Sequence, residues 1–300
     1  MKIKTKRYYV YYFLKIAGFI VSILPVKVGL YLADFAGKAA FSVMKKERRR
    51  TLENLRNTFP EKTDAEIEAI AKGVFSNLCK NGVEWINIYK LNKKNIDLWV
   101  KGGDFGKIDR VFAKGKGGIM LASHFGNWEL IHVCFLLKGY PGTVIARRIY
   151  FNKYDEFLNN VRAAKGVDIM YRDESPKKLL RLLKQNKLIG ILADQDVDSV
   201  DGIFVDFFGR PAYTPKAPVA FSLASGAPLI PCFMVRDGNR HRLVIDEPLY
   251  MVEKSTREET IQFNTQRWSR LVESYIRKSP EQWVWMHRRW KTKPDEFSKK

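Results

Sequence analysis

The chain has 300 residues, enough to bury a sizeable core in one α/β domain or in two small ones. Lysine and arginine number 53 against 32 acidic residues, so the net charge of +21 favours polyanionic partners: an anionic membrane, a phosphorylated lipid, an acidic protein or nucleic acid. The three cysteines are an odd number and are widely spaced in apolar runs, which implies no disulfide framework and predicts reduced core thiols in a cytosol-facing protein.

The N-terminus combines basic residues with two apolar stretches, residues 8–26 and 28–44, and a basic run follows at 45–50. Because both flanks are basic, two helices lying in one leaflet fit better than a single crossing. The alternative is a pair of ordinary buried helices beside a solvated charge run. We therefore predict membrane-associating helices over residues 1–45 and a single α/β domain over 46–300. The basic residues before the first stretch are Lys2, Lys4, Lys6 and Arg7.

Further along the chain, residues 64–90 have apolar side chains at helical spacing, which predicts an amphipathic helix. Apolar runs then alternate with helical patterns, and this alternation predicts a largely parallel sheet flanked by helices, the α/β class. The predicted strands are 117–123, 143–146, 167–171, 188–193, 228–235 and 242–245. The predicted helices are 128–138, 153–165, 176–186, 217–225 and 256–278.

The segment SHFGNWEL sits where the first of these strands meets a helix. Gly126 and Asn127 have the turn and N-cap chemistry expected between them. A loop-borne His124 can fold back toward Glu129 in the first helical turn, where the helix dipole favours the ionised carboxylate. We predict that Glu129 orients His124 as a general base. The alternative is a polar pair that merely satisfies its own hydrogen bonds at a turn.

Polar residues follow each strand of the alternating region. His124 comes after the first strand, Arg148 after the second, Arg172 after the third and Asp194-Gln195 after the fourth. Because parallel strands end at one edge of a sheet, the sequence predicts one cleft for all of them. The simpler alternative is that loops after strands are polar because they are solvated.

The sequence lacks the motifs of several common enzyme classes. No Gly-x-Ser-x-Gly elbow is present for a serine hydrolase, and no Walker loop or GxGxxG for a nucleotide. The four histidines show no HExxH or paired-ligand spacing, so we expect no metal. His132 and Cys134 lie in an apolar helical pattern and are interpreted as core.

Four blocks of sequence resemble the bacterial lipid A biosynthesis acyltransferases, the lauroyl and myristoyl transferases of the lysophospholipid acyltransferase superfamily. Their order and spacing agree from about residue 48 to residue 293. The blocks are HFGNWEL (124–130), ADQDVDSVDGIFVDFFGRPAYTPKAP (193–218), GAPLIPCF (226–233) and PEQWVWMHRRWK (280–291).

The resemblance implies acyl transfer from an acyl carrier protein thioester to a hydroxyl of a membrane glycolipid, at the cytoplasmic face of the bacterial inner membrane and without a metal or organic cofactor. His124 matches the catalytic histidine and Glu129 its acidic partner. Arg148 matches the arginine of an RPxxNP pattern whose two prolines this chain replaces. The pair Asp194 and Gln195 also matches the family.

On this basis the expected partners are an acyl carrier protein, an anionic glycolipid and the membrane surface, without nucleic acid. We expect His124 to deprotonate the acceptor hydroxyl, while a backbone N–H of residues 125–127 or Arg148 stabilises the oxyanion. Guanidinium groups suit the glycolipid phosphates, although surface ion pairs explain them equally. The expected substrate contacts are Asn127, Arg148, Arg172, Asp194, Gln195 and Arg210.

Other functions remain open at this stage. One is an acyltransferase that uses acyl-coenzyme A or acylates another glycolipid or a lysophospholipid. Another is a basic, non-catalytic protein that binds anionic lipid or nucleic acid. The tryptophans and basic residues of 280–291 suit a membrane interface or a carrier-protein dock, and core packing of the tryptophans explains them equally.

Overall fold

The computed structural model describes residues 2–197 and 199–297, with side chains from 7 to 197 and from 199 to 295. The side chains of Lys2, Lys4 and Lys6, predicted to flank the first apolar stretch, lie outside this part, as do the last three residues of the predicted 46–300 domain.

The chain alternates helices with short strands. The helices are α1 Lys2–Ile23, α2 Val26–Val43, α3 Lys45–Thr58, α4 Asp64–Ile86, α5 Ile96–Trp99, α6 Gly106–Phe112, α7 Glu129–Leu137, α8 Asn152–Ala163, α9 Pro176–Lys184, α10 Ala217–Ser225, α11 Arg257–Lys278 and α12 Pro294–Phe297. The strands are β1 Val100–Gly102, β2 Gly118–Ala122, β3 Gly142–Ala146, β4 Asp168–Tyr171, β5 Leu188–Leu192, β6 Gly202–Phe207, β7 Arg210–Pro215, β8 Leu229–Asp237 and β9 Arg240–Ile245.

Seven strands form one sheet in the order β1-β9-β8-β2-β5-β3-β4. All neighbouring pairs are parallel except β8 and β9. The predicted mostly parallel α/β sheet is therefore confirmed, and the ends of β2, β3, β4 and β5 share one edge. Strands β6 and β7 form a separate antiparallel hairpin that we did not predict.

Helices cover both faces of the sheet, as the alternation of burial along β2 shows. Ile119 and Leu121 belong to a core cluster that includes residues of α4, α10 and α11. Met120 and Ala122 point to the other face, where the cluster includes residues of α6 and α7. Successive strand side chains point to opposite faces, so a strand buried on both sides has a continuous apolar sequence.

The long helices α4 and α11 begin at complete capping boxes. Thr63 accepts a hydrogen bond from the backbone N–H of Glu66, whose carboxylate accepts from the backbone N–H of Thr63. Thr256 and Glu259 repeat this arrangement at α11. Each box satisfies backbone donors that the first helical turn leaves free.

The two N-terminal helices differ in how they pack. Helix α2 lies against α4 closely enough that a Cβ on Gly37 would come within 2.5 Å of the Ser76 backbone, and Phe41 packs edge-on against Phe75. Helix α1 leaves large apolar side chains exposed, among them Tyr9, Phe13 and Phe19. Within the described residues, no helix combines the length and apolar character needed to cross a membrane.

Candidate active site

His124 stands on a tight turn after β2 whose shape depends on glycine. Gly126 has φ +58, and a Cβ there would lie 1.6 Å from the carbonyl oxygen of Met234. The Gly126 N–H donates to the Gln282 carbonyl at 2.9 Å, and Asn81 Nδ2 donates to the Gly126 carbonyl at 2.6 Å. The turn is thus clamped between α4, β8 and the C-terminal segment.

Asn127 belongs to this clamp and not to the substrate surface that we predicted. It is 1% exposed, and its Nδ2 donates to Glu84 Oε2 at 2.7 Å. Glu84 also pairs with Arg236 and His241. Burial opposes ionisation of Glu84, yet these two partners lower its pKa to about 2. The N-cap of α7 also differs from the prediction. Trp128 is the N-cap residue, and the side chain of Asn127 bonds to Glu84 instead.

The imidazole of His124 pairs with Asp194. Its Nδ1 lies 2.7 Å from Asp194 Oδ1, while the other carboxylate oxygen accepts from the His124 backbone N–H and from Trp283 Nε1 at 2.9 and 2.8 Å. Burial would raise the pKa of Asp194, but the charge of His124 and these hydrogen bonds hold it well below its ordinary value. An ionised Asp194 keeps the proton of neutral His124 on Nδ1 and leaves Nε2 free to accept.

The predicted contact between Glu129 and His124 is wrong. Glu129 instead accepts two hydrogen bonds from Arg162 of α8, at 2.6 and 3.0 Å. Burial opposes its ionisation, but the charge and hydrogen bonds of Arg162 lower the pKa of Glu129. Asp194 takes the contact with His124 because Ala122 of β2 and Leu192 of β5 are register partners, and each side chain follows its strand end by two residues.

Gln195 and His287 complete the polar cluster. Gln195 Nε2 lies 3.0 Å from His124 Nε2 and 3.0 Å from both ring nitrogens of His287. The two imidazole rings stand edge to face at 5.0 Å. His287 was not assigned a role from the sequence, because its contact with Gln195 spans 92 positions of the chain.

A cavity of about 640 Å³ opens beside His124. The polar part of its wall includes Glu129, Arg162 and Gln195. Apolar side chains from the strands and helices form most of the remainder, among them Met120, Ile131, Val144, Leu158, Leu179 and Phe221. A largely apolar cavity with a smaller number of polar groups in its wall is typical of a binding site for a small molecule or cofactor.

The predicted arginines are divided between this cavity and other surfaces. Arg172 lines the cavity, and so does the neighbouring strand-end residue Arg147. Arg148 instead pairs with Asp173 at 3.1 Å and stacks over Tyr171, outside the wall. Arg210 lies over the ring of Trp290, at the far end of β7 from Pro215, which does line the cavity. Arg148 and Arg210 therefore do not line the cavity, and their predicted contact with the substrate stays a prediction.

The expected backbone oxyanion donors are occupied. The N–H groups of Phe125, Gly126 and Asn127 donate to the carbonyls of Ser123, Gln282 and Met234. The tryptophans of 280–291 form core, since Trp283, Trp285 and Trp290 are buried. In residues 2–197 and 199–297, no group of three or more histidine, cysteine or acidic side chains is arranged to hold a metal ion.

Comparison with known proteins identifies the family of this chain. The family model described as bacterial lipid A biosynthesis acyltransferase matches residues 1–292. The chain is 25% identical to the lipid A biosynthesis lauroyltransferase of Escherichia coli (strain K12), over 91% of this chain and 88% of that protein. It is 27% identical to the lipid A biosynthesis myristoyltransferase of that strain, over 89% of this chain and 81% of that protein.

A third relative, the phosphatidylinositol mannoside acyltransferase of Mycobacterium tuberculosis (strain CDC 1551 / Oshkosh), is 25% identical over 50% of each chain. The family model covers nearly the whole length of the chain, and the matched residues contain the complete His124 cluster and the cavity. The chain belongs to the bacterial lipid A biosynthesis acyltransferase family.

Proposed function

We propose that this acyltransferase moves a fatty acyl group from an acyl carrier protein thioester to a hydroxyl of a lipid A precursor or a similar membrane glycolipid. The observation that carries the proposal is the His124–Asp194 pair beside a largely apolar cavity that His124 lines. A base beside a cavity suited to a hydrocarbon chain fits acyl transfer to an alcohol better than it fits simple lipid or nucleic-acid binding.

The geometry supports direct transfer. His124 Nε2 removes the proton of the acceptor hydroxyl as its oxygen attacks the thioester carbonyl carbon. Asp194 stabilises the imidazolium that forms. When the tetrahedral intermediate collapses, the carbon–sulfur bond breaks and the imidazolium protonates the departing thiolate. This sequence leaves an ester and a free thiol, and requires no acyl-enzyme.

The middle of β5 offers a test of the acyl site. A Cβ on Gly190 would make ordinary contacts with Met120 and Val144, at 3.4 and 3.6 Å, so larger side chains would extend into the cavity. Gly190→Leu should therefore lower kcat/KM for long acyl donors by about tenfold or more, while short donors lose less, because each buried methylene contributes about 0.8 kcal/mol.

The measurement is kcat/KM over a series of donor chain lengths, with Gly190→Ala as the smaller matched variant. An unchanged ranking of donors in a folded Gly190→Leu protein would remove the acyl chain from this cavity.

Cationic groups at the cavity suit an anionic acceptor. Arg147 and Arg172 line it and are exposed, so their guanidinium groups can meet lipid phosphates. The charge of +21 also suits an acidic carrier protein as donor.

The exposed apolar face of α1 and α2 supports a membrane surface as the place of the reaction. Phe13, Tyr31 and Phe35 are each at least 70% exposed. Tyr8 of α1 packs on Phe151, beside the cavity residue Ile149. We propose that residues 1–45 rest on the cytoplasmic face of the inner membrane, with the acyltransferase domain in 46–300, so that lipid reaches His124 from the bilayer.

The proposed function is tested by incubating detergent-solubilised protein with an acyl carrier protein thioester and a lipid A precursor. We expect the lipid to gain the mass of one acyl group, and His124→Ala to lower this rate by about 10²–10⁴-fold while thermal unfolding is unchanged. Acyl-coenzyme A, a lysophospholipid and a phosphatidylinositol mannoside serve as competing substrates. Faster transfer with any of these would replace the proposed donor or acceptor, and near-normal transfer by His124→Ala would discard the base.

A further inference from the structure

The side-chain amide of Gln195 occupies the position where an oxyanion donor is needed. It lines the cavity, and its Nε2 lies 3.0 Å from the His124 nitrogen that must receive the substrate proton. The backbone N–H groups of the neighbouring turn are engaged elsewhere, and that of His124 itself donates to Asp194. Another donor must therefore face the reacting carbonyl.

The neighbours of Gln195 fix which end of its amide points to the site. His124 donates from Nδ1 to Asp194, so its Nε2 presents a lone pair and requires a donor opposite. Gln195 Nε2 lies 3.0 Å from both ring nitrogens of His287, which places the amide over the face of that ring, where an N–H can point at the π-electrons. Burial lowers the pKa of His287 to about 4, which keeps the ring neutral near pH 7.

The side-chain amide of Gln195 thus contacts the His124 Nε2 lone pair and the face of the His287 ring in the resting site. When an acceptor hydroxyl takes its place against His124 Nε2, one amide hydrogen loses its partner. The thioester carbonyl carbon bonds to that hydroxyl oxygen, so the carbonyl oxygen develops negative charge within a few ångströms of Gln195 Nε2. The contact with His287 retains the amide in its orientation during this exchange.

We propose that Gln195 is a catalytic residue whose Nε2–H stabilises the tetrahedral oxyanion, and that His287 is the positioning residue that aims it. The inference rests on the proposed acyl transfer and adds to it the donor that the turn after β2 does not supply. Developing charge is stabilised most by donors that are already oriented before the reaction.

The test compares steady-state kinetics of substitutions at Gln195. Gln195→Ala should lower kcat by about 10²–10³-fold with little change in KM, because the contact forms only in the transition state. Gln195→Glu should retain more activity at acidic pH, where a protonated carboxyl donates, and lose it as pH rises, because a carboxylate repels the oxyanion. A raised KM with unchanged kcat in Gln195→Ala would overturn the proposal.

The role of His287 has its own readout. His287→Ala should lower kcat by about tenfold, and His287→Asn, which offers the amide a side-chain carbonyl in place of the ring face, should recover part of it. Equal loss in both variants would contradict a positioning role.

Nitrogen-15 NMR of the imidazoles provides a measurement that does not depend on turnover. Loss of the amide donor in Gln195→Ala should shift the His124 Nε2 resonance, and an unchanged resonance would overturn the contact. Wild-type protein without acyl transfer would overturn the proposed function and this inference together. An active wild type with an equally active Gln195→Ala variant would overturn the inference alone.

Discussion

Asp194→Asn should lower kcat by about 10⁴-fold while the protein remains folded. The asparagine retains the shape of the side chain but can donate to His124 Nδ1, which favours the tautomer with its proton on Nε2. His124 then cannot accept the proton of the acceptor hydroxyl, and the imidazolium loses its counter-charge. The loss follows the scale known for the corresponding change in a Ser-His-Asp triad. Steady-state acyl transfer and the NMR tautomer of His124 measure it.

Asp196→Asn is the matched control for this variant. Asp196 lies in the same loop, but its carboxylate accepts hydrogen bonds from the backbone N–H and the hydroxyl of Thr292. We expect its substitution to leave the His124 tautomer unchanged. Glu129→Gln should also leave that tautomer unchanged, since Glu129 pairs with Arg162. If Glu129→Gln altered the tautomer and Asp194→Asn did not, the observed pairing would be wrong.

Gly126→Ala should destabilise the protein by at least about 4 kcal/mol, with a Tm lower by about 6 °C or more. The added Cβ would lie 1.6 Å from the Met234 carbonyl oxygen, so either the turn or β8 must move. Movement breaks the hydrogen bonds to Gln282 and from Asn81, and an L residue at φ +58 adds strain. Calorimetry or circular dichroism melting measures the effect, and activity should fall with it because His124 is two residues away.

Gly82→Ala is the control for the loss of a glycine. A Cβ at this exposed position of α4 would meet no atom within 4 Å. Alanine should stabilise the helix there by about 0.5–1 kcal/mol. Comparable melting of the Gly126 and Gly82 variants would show that the turn tolerates a side chain.

The period of the apolar residues was sufficient to predict most of the sheet and its covering helices. Buried runs such as Gly118–Ala122 and Leu188–Leu192 have the same apolar sequence wherever they lie in a sheet, so strand order could not be predicted. The hairpin of β6 and β7 was missed because its sequence is mixed in polarity, with buried and exposed positions interspersed.

Because strand order could not be predicted, the partner of His124 could not be predicted either. Local spacing favoured Glu129, but the structure pairs His124 with a residue 70 positions away. The useful signal was the position of Asp194 directly after a strand, which became decisive only once β5 was known to neighbour β2. Asn127 was misjudged, and the contact of His287 with Gln195 was not predicted, for a related reason. Long-range contacts determine whether a polar side chain faces a cavity or the protein interior.

The segment from Pro280 to His287 closes the site from a distant part of the chain. Gln282 accepts the Gly126 N–H, Trp283 donates to Asp194, and His287 contacts Gln195. A nascent polypeptide that has reached residue 279 already contains His124 and Asp194, yet it lacks all three of these contacts. Acyl transfer should therefore require that this segment has left the ribosome and folded back onto the sheet.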